Sequence, residues 1–147
     1  MSRRRQHGFT LLEILVVLAL MAMMYALVPP MFSSGGSTEL RAAARQLAAG
    51  LRKARGHAIS SRQEATLTVD VEQHHFKVAG DPRRYSLPKS AELSVYTAQS
   101  EAVEDKVAAI RFYPDGSSTG GAITVADGTA KFRVDVDWLT GNVTILD

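Results

Sequence analysis

The most extended hydrophobic feature of the chain is an apolar run near its N-terminus. From Ile14 to Met31 there are 18 consecutive residues whose only polar group is the Tyr25 hydroxyl. A run of this length predicts a transmembrane helix. Arginines occupy positions 3–5, so the positive-inside rule places the N-terminus in the cytoplasm and the residues after Pro30 across the membrane. The alternative is a secretory signal peptide, whose apolar region is usually shorter, about 7–15 residues.

A second helical pattern follows a segment rich in proline, glycine and serine. Pro29, Pro30 and residues 33–37 predict a hinge, because proline removes a backbone donor and glycine weakens a helix. Thr38 is the predicted N-cap of a helix over 38–61. An apolar stripe on this helix contains Leu40, Leu47, Leu51, Ala54 and Ala58. The arc beside it, which we call the arginine stripe, contains Arg41, Arg45, Arg52, Arg55 and Arg62.

After Gln63 the hydrophobic period changes to two, which is typical of strands. Turn sequences such as Asp115-Gly116 and Asp127-Gly128 separate the short alternating segments, and residues 98–106 are predicted to be a mobile polar loop. The alternating apolar positions are Leu67, Val69 and Val71; Phe76 and Val78; Leu93 and Val95; Ile110 and Phe112; Ile123 and Val125; Phe132, Val134 and Val136; Val143 and Ile145. We therefore predict an α+β fold in which the helix packs on an antiparallel, two-sheet β domain over 64–147.

Composition limits the possible classes of function, and the charged residues are unevenly distributed along the chain. With 147 residues and 46% apolar content, one ordinary domain is expected, and the absence of cysteine excludes disulfides, thiolate metal sites and cysteine nucleophiles. The formal charge of +2 is unevenly distributed. Residues 38–62 carry six basic side chains and one acidic one, whereas residues 63–147 carry eight basic and 13 acidic ones. The arginine stripe could be a solvated face, a contact for acidic neighbouring subunits or a phosphate site, and the acidic β domain favours the second over the third.

Glu13 is a carboxylate at the start of the apolar run. A charge in such a segment is costly and is by default functional, with a partner to be identified. Cleavage between Gly8 and Phe9 would create an α-ammonium four residues before Glu13, and a neighbouring chain could offer the same group.

Other candidate sites have weaker support. Residues 116–120 match G-x-S-x-G, but a strand follows and no histidine lies after His75, so a hydrolase site is not expected. His74 and His75 are predicted to occupy an exposed hairpin tip, and turn roles are predicted for Asp81, Asp115 and Asp127. Trp138 is predicted to fill the edge of the core. We expect no enzyme activity, no metal site and no cofactor.

Three segments and the leader carry a family resemblance. Residues 5–14, Arg-Gln-His-Gly-Phe-Thr-Leu-Leu-Glu-Ile, resemble the class III leader of type IV pilins and type II secretion pseudopilins. Residues 54–59, 112–121 and 137–143 resemble the GspH/FimT group, and the last two are more similar to its secretion branch. The doubled Pro29-Pro30 departs from the pattern of one proline.

The resemblance implies a domain plan and a set of site residues. Residues 1–8 are a leader that prepilin peptidase cleaves after Gly8, Phe9 becomes N-methylated, and Glu13 is the assembly carboxylate. Residues 9–32 form the transmembrane and assembly helix, 33–37 the hinge, and 38–147 a periplasmic pseudopilin domain. Candidate partner contacts are Arg41, Arg45, Arg52 and Arg55.

The implied function is that of a non-enzymatic minor pseudopilin near the tip of the type II secretion pseudopilus. Its expected partners are other minor and major pseudopilins, the prepilin peptidase and methyltransferase, the inner-membrane assembly platform and the lipid bilayer, with no small-molecule substrate or nucleic acid. The expected location is the bacterial inner membrane, single-pass, with a periplasmic C-terminal domain. The alternative is a minor type IV pilin of the FimT kind, involved in pilus biogenesis or DNA uptake.

Overall fold

The computed structural model contains two helices and nine strands in its described part. The described residues are 10–27, 34–97, 102–104, 106–128 and 130–147. The chain divides into two units, residues 1–34 and residues 35–147.

Helix α1 spans Leu11–Leu27 in the first unit. The amide of Glu13 donates to the Thr10 carbonyl at 3.0 Å and contacts the Thr10 hydroxyl at 3.3 Å, so Thr10 caps the first turn. No helix within the described residues is both long enough and apolar enough to cross a membrane. Residues 28–31 of the predicted span, including the proline pair, lie outside the described residues.

Helix α2 spans Ser34–Ser61 and begins four residues before the predicted start at Thr38. Both glycines of the predicted hinge, Gly35 and Gly36, are therefore helical. Gly36 lies against the carboxylate of Asp127, which occupies the space that a Cβ would need. A close approach of this kind gives glycine a packing role inside a helix. The apolar stripe is confirmed, because all five of its side chains are buried.

The first sheet contains five antiparallel strands in the order β3-β2-β1-β6-β5. Its central pair joins β1 to β6, with Leu67 opposite Ile110 and Val69 opposite Ala108. The strands are β1 (Ala65–Asp70), β2 (His75–Val78), β3 (Arg84–Ser86), β5 (Ala102–Glu104) and β6 (Val107–Phe112). Strand β5 corrects the prediction of a loop over 98–106: it pairs with β6 and so satisfies backbone groups along that edge.

The second sheet contains four antiparallel strands in the order β4-β7-β8-β9. Its register places Val95 opposite Ile123, and Ile123 opposite Val134 on the next strand. The strands are β4 (Glu92–Thr97), β7 (Gly121–Ala126), β8 (Lys131–Val136) and β9 (Val143–Leu146). The predicted antiparallel two-sheet β domain is confirmed.

One core joins α2 to both sheets. The buried cluster includes Leu47 and Leu51 from the helix, Phe76 and Phe112 from the first sheet, and Val134 from the second. Phe76 also stacks on Tyr85, with ring centroids 4.9 Å apart. Because the apolar face of α2 is covered along its length, its arginines are held at fixed positions relative to the strands.

Candidate assembly surfaces

Helix α1 presents an uncovered apolar surface with one acidic group. The described leucine, isoleucine, valine and methionine side chains of α1 are exposed, and Glu13 lies among them in the first turn. A shallow hollow of about 300 Å³ is lined by Glu13, Ile14, Val17 and Leu18. A helix that is apolar all round needs an apolar environment. Gly8 and Phe9 lie outside the described residues.

Arg41 and Arg45 lie in the N-terminal half of α2 and line an open, polar hollow. The Arg41 guanidinium lies 5.4 Å from the Phe132 ring centroid and 3.6 Å from the Asp147 carboxylate. Arg45 makes no hydrogen bond or ion pair within the described part of the chain. The hollow has a volume of about 320 Å³ and is lined by Ser37, Thr38, Arg41, Arg45 and Phe132. These two guanidinium groups remain accessible to a partner.

Arg52 and Arg55, farther along the same stripe, bind backbone carbonyls of the β domain. Arg52 donates from Nη2 to the Val143 carbonyl at 3.0 Å, and Arg55 donates from Nε to the Gly116 carbonyl at 3.0 Å. Both bonds are partly buried. A hydrogen bond from a charged group to a partly buried carbonyl is stronger than a neutral one. The fold therefore uses these two arginines to fasten α2 to loops of the β domain.

The Arg55 contact lies where the three family-like segments meet. Gly141 packs so closely on the Gly116 carbonyl and on Arg55 that a Cβ at Gly141 would collide with both, and its φ is +63°. The amide of Ser118 donates to the Trp138 carbonyl at 2.9 Å. Residues 54–59, 112–121 and 137–143 thus form one contact region, although they are far apart in sequence.

Two carboxylates shape the turns of this region. The Ser117 hydroxyl and amide lower the pKa of Asp115, because both donate to its carboxylate. The Thr140 amide and hydroxyl, together with the Leu139 amide, lower the pKa of Asp137 in the same way. Donors that point at the charged form favour it. The turn roles predicted for Asp115, Asp81 and Asp127 are confirmed by amide donors to all three carboxylates.

The position of Trp138 contradicts its predicted core role. Its side chain is 66% exposed, and it lines an open groove of about 660 Å³ together with Tyr96 and Leu146. The prediction was wrong because Asp137 caps a turn immediately after β8, which carries the following side chain away from the core. We call this space the aromatic groove; its lining includes Tyr96, Asp135, Asp137, Trp138, Thr144 and Leu146.

A cluster of charged side chains around Asp81 links α2 to the turn between β2 and β3. The Asp81 carboxylate, only 3% exposed, accepts hydrogen bonds from the Arg83 guanidinium at 3.2 Å, the Lys53 ammonium at 2.5 Å and the Tyr85 hydroxyl at 2.7 Å. These donors hold the pKa of Asp81 well below its usual range. Cations close to a carboxylate favour its charged form.

The remaining predicted motifs serve local structure. Ser117 donates to Asp115, and the Ser118 hydroxyl accepts from the Gly120 amide at 3.1 Å. His74 and His75 lie at the β1–β2 hairpin turn as predicted, but they are half-buried and not exposed: His74 Nδ1 lies 2.9 Å from the Pro88 carbonyl, so a neighbouring loop covers it. Within the described residues, no three histidine or carboxylate side chains are grouped to hold a metal ion.

Two family models match the chain. One, described as "Prokaryotic N-terminal methylation motif", covers residues 3–28. The other, described as "Type II transport protein GspH", covers residues 43–141, which include Arg55, Gly116 and Gly141 of the contact region. The chain belongs to the GspH family. It is 34% identical over 142 residues to the type II secretion system protein H of Xanthomonas campestris pv. campestris, covering 96% of this chain and 83% of that protein.

Solved structures with the same fold include a minor pseudopilin and a type IV minor pilin. The minor pseudopilin EpsH from the type 2 secretion system of Vibrio cholerae superposes with a TM-score of 0.58 at 15% identity, covering 74% of this chain and 96% of that one. The type IV minor pilin FimU of Pseudomonas aeruginosa PAO1 gives 0.57 at 18% identity, covering 75% and 90%. At these identities the structures establish the α+β pilin-like fold. The predicted α+β fold with antiparallel sheets is confirmed by these structures, and the family resemblance is confirmed by the family models and the curated relative.

Sequence reasoning missed the aromatic groove. Its residues come from β4, the β7 region, β8 and β9, and only the strand order brings them together. One available signal was the position of Trp138, which stands between Asp137 and Thr140-Gly141 in a turn sequence where side chains are usually exposed.

Proposed function

We propose that the chain is a minor pseudopilin, a structural subunit at or near the tip of the type II secretion pseudopilus that supports export of folded proteins across the outer membrane. Membership of the GspH family supports this function, as does the name of the curated relative, type II secretion system protein H. The family consists of structural subunits, and the site residues carry no catalytic step.

The uncovered apolar surface of α1 is the observation that carries the proposal. Its described large side chains are exposed within a single chain, and a carboxylate stands in the first turn. In a filament, neighbouring helices would cover the apolar surface, and Glu13 would find the N-terminal ammonium of an adjacent subunit. An ion pair in an apolar bundle also fixes the axial register of the subunits, because a charge without its partner is costly there.

Processing at Gly8 and Phe9 supplies that ammonium. In this proposal prepilin peptidase cleaves after Gly8 and Phe9 is then methylated, which keeps the positive charge. The match of the methylation-motif model to residues 3–28 supports the assignment. Mass spectrometry of the N-terminal peptide tests it: we expect a peptide that begins at N-methylated Phe9.

The proposed location follows from the leader and the apolar run. Before assembly, the chain is anchored in the inner membrane by one segment, with positions 3–5 on the cytoplasmic side and residues 38–147 in the periplasm. Its partners are then the other pseudopilins, the processing enzyme, the assembly platform and the surrounding lipid. Arg41 and Arg45 are the arginines that we assign to partner contact, since Arg52 and Arg55 are bound within the chain.

Substitution of Glu13 tests the function. Glu13→Gln removes the charge and keeps the size of the side chain, so helix formation should persist while pairing with a neighbour is lost. We expect the amount of the chain that copurifies with other pseudopilins from secreting cells to fall at least about tenfold, because the remaining ammonium would be left without its partner in an apolar bundle.

A matched control is Glu39→Gln, which removes an exposed carboxylate from α2. This variant should copurify with pseudopilins as the unsubstituted chain does. Equal incorporation of Glu13→Gln and Glu39→Gln would contradict the pairing, and absence of the unsubstituted chain from every pseudopilin complex would contradict the function itself.

A further inference from the structure

The exposed large hydrophobic side chains of the second unit are concentrated in one area. Among the described residues of 35–147, five such side chains are exposed: Ile59, Tyr96, Trp138, Leu139 and Leu146. Three of them line the aromatic groove, and Leu139 adjoins Trp138 in the same turn. Apolar surface gathered in a concave site marks an interaction surface, and Trp and Tyr are the residues that most often dominate binding there.

The charges of the aromatic groove have one sign. Its lining contains two carboxylates, Asp135 and Asp137, and no lysine or arginine. Arg133, which is not part of the lining, donates from Nε to the Asp135 carboxylate at 2.9 Å. Among the described residues, Asp137 is therefore the lining carboxylate that has no ion pair. Asp137 uses Oδ1 to cap its turn, so Oδ2 can still accept from a ligand.

Strand register places the aromatic and acidic groups on one face. Tyr96 stands opposite Ala122, Ala122 opposite Asp135, and Asp135 opposite Thr144, so these residues form one row across the outer face of the second sheet. Trp138 follows at the end of β8. Aromatic faces beside an unpaired carboxylate attract a cation through the ring quadrupole and through charge together.

We propose that the aromatic groove binds a lysine or arginine side chain carried on an apolar segment of a neighbouring pseudopilin. This proposal rests on the proposed function, because it assigns the partner class from membership of the pseudopilus. The aromatic rings and Leu146 cover the apolar part of the segment, while Asp137 receives the cationic end. The same carboxylates disfavour a nucleic acid, whose phosphates they would repel.

The absence of cysteine from the chain allows a direct test in the full-length protein. Thr144→Cys introduces a thiol into the groove lining at an exposed position, without altering the aromatic or acidic groups. Ser86→Cys, at an exposed position of β3 in the first sheet, is the matched control. Each variant is labelled with benzophenone maleimide in spheroplasts of secreting cells and irradiated, and the adducts are identified by mass spectrometry.

We expect Thr144→Cys to give an adduct with another pseudopilin, and the crosslinked peptide to contain lysine or arginine. Ser86→Cys should not give this peptide. An adduct with a peptide that lacks both residues, with a second copy of this chain, with a secreted protein or with nucleic acid would overturn the proposal. Equal yields of the same peptide from both positions would also overturn it.

Two substitutions in the Thr144→Cys background separate the aromatic and the acidic contributions. Trp138→Ala should lower the adduct yield by about tenfold or more, as expected for a buried anchor of an interface. Asp137→Asn keeps Oδ1 as a turn acceptor and removes only the charge, so it should lower the yield several-fold with only a small loss of thermal stability. Unchanged yields in both variants would overturn the proposal.

Copurification distinguishes failure of the groove from failure of the function. If the chain copurifies with pseudopilins but Thr144→Cys yields no adduct, the groove assignment is wrong and the proposed function stands. If the chain copurifies with no pseudopilin, the proposed function fails and the groove proposal fails with it.

Discussion

Arg41 and Arg45 lie on the same stripe of α2 as Arg52 and Arg55, but the two pairs have different surroundings. Arg52 and Arg55 donate to the carbonyls of Val143 and Gly116, both at 3.0 Å. Arg41 lies over a phenyl ring beside an exposed carboxylate, and Arg45 points into an open hollow. Helical spacing places all four on one side of the helix, but the β domain decides which of them it binds. Arginine on such a stripe therefore contributes either to folding or to contact with partners, depending on the backbone opposite it.

The largest expected effect comes from Gly141→Ala, which disrupts the packing around Arg55. A methyl group there would collide with the Gly116 carbonyl and with Arg55, at a positive φ that alanine adopts poorly. We expect the free energy of unfolding to fall by about 2–4 kcal/mol, measured by denaturant unfolding of the purified full chain. The control is Gly128→Ala, which has a positive φ of +83° and open space, and should lose only about 1 kcal/mol. Equal losses would contradict a packing role for Gly141.

Arg55→Ala should have the next largest effect. It leaves the Gly116 carbonyl without its donor and removes the side chain that holds three segments together. We expect a loss of about 1–3 kcal/mol in the free energy of unfolding. Arg55→Lys is the matched variant, since it keeps the charge but not the Nε donor, and should recover only part of the stability. Full recovery by lysine would show that charge, and not the directed hydrogen bond, matters at this position.

Acidification should weaken the Asp81 cluster. Because its donors lower the pKa of Asp81 in the folded chain, the cluster contributes stability that is fully present above the unfolded pKa, about 3.9, and is lost as the pH falls below it. Asp115 and Asp137 have lowered pKa values too and contribute in the same direction. Melting temperatures between pH 7 and pH 3 should therefore fall less steeply for Asp81→Asn than for the unsubstituted chain. Parallel curves would contradict this role.

The smallest effect on stability is expected for Arg45→Ala, in the half of the arginine stripe that the β domain does not bind. Arg45 has no hydrogen bond or ion pair within the described residues, so the free energy of unfolding should change by no more than about 0.5 kcal/mol. Copurification with pseudopilins should nevertheless decrease if this arginine contacts a partner. A stability loss as large as that of Arg55→Ala would show that the two halves of the stripe are equivalent.

Much of the architecture could be predicted from local pattern. The apolar stripe from Leu40 to Ala58 identified the buried face of α2, and the alternating residues located seven of the nine strands. Strands β3 and β5 were missed because each has only three residues and lacks a run of alternating apolar positions. The start of α2 was misplaced because Gly35-Gly36 indicated a break, whereas Asp127 packs against Gly36 from a distant hairpin.

The candidate surfaces were harder to predict because they depend on strand order. The sequence identified Glu13 and the arginine stripe, since both are properties of one helix. It could not show that Arg55 meets Gly116 and Gly141, because that contact joins segments about 60 and 85 residues away along the chain. The Trp138 prediction failed for a related reason: hydrophobicity indicates burial, but a turn capped by Asp137 directs the side chain outward.

The path of the chain between the sheets also bears on how the protein folds. Strand β4 belongs to the second sheet, although it lies in sequence between β3 and β5 of the first. Strand β1 pairs with β6, which is synthesised only after β4. Neither sheet can be completed before part of the other has been synthesised. Pairing strands that are distant in sequence carries a loop-closure entropy cost before their contacts form. We therefore expect residues 35–147 to fold in one cooperative step that is slow for a domain of this size.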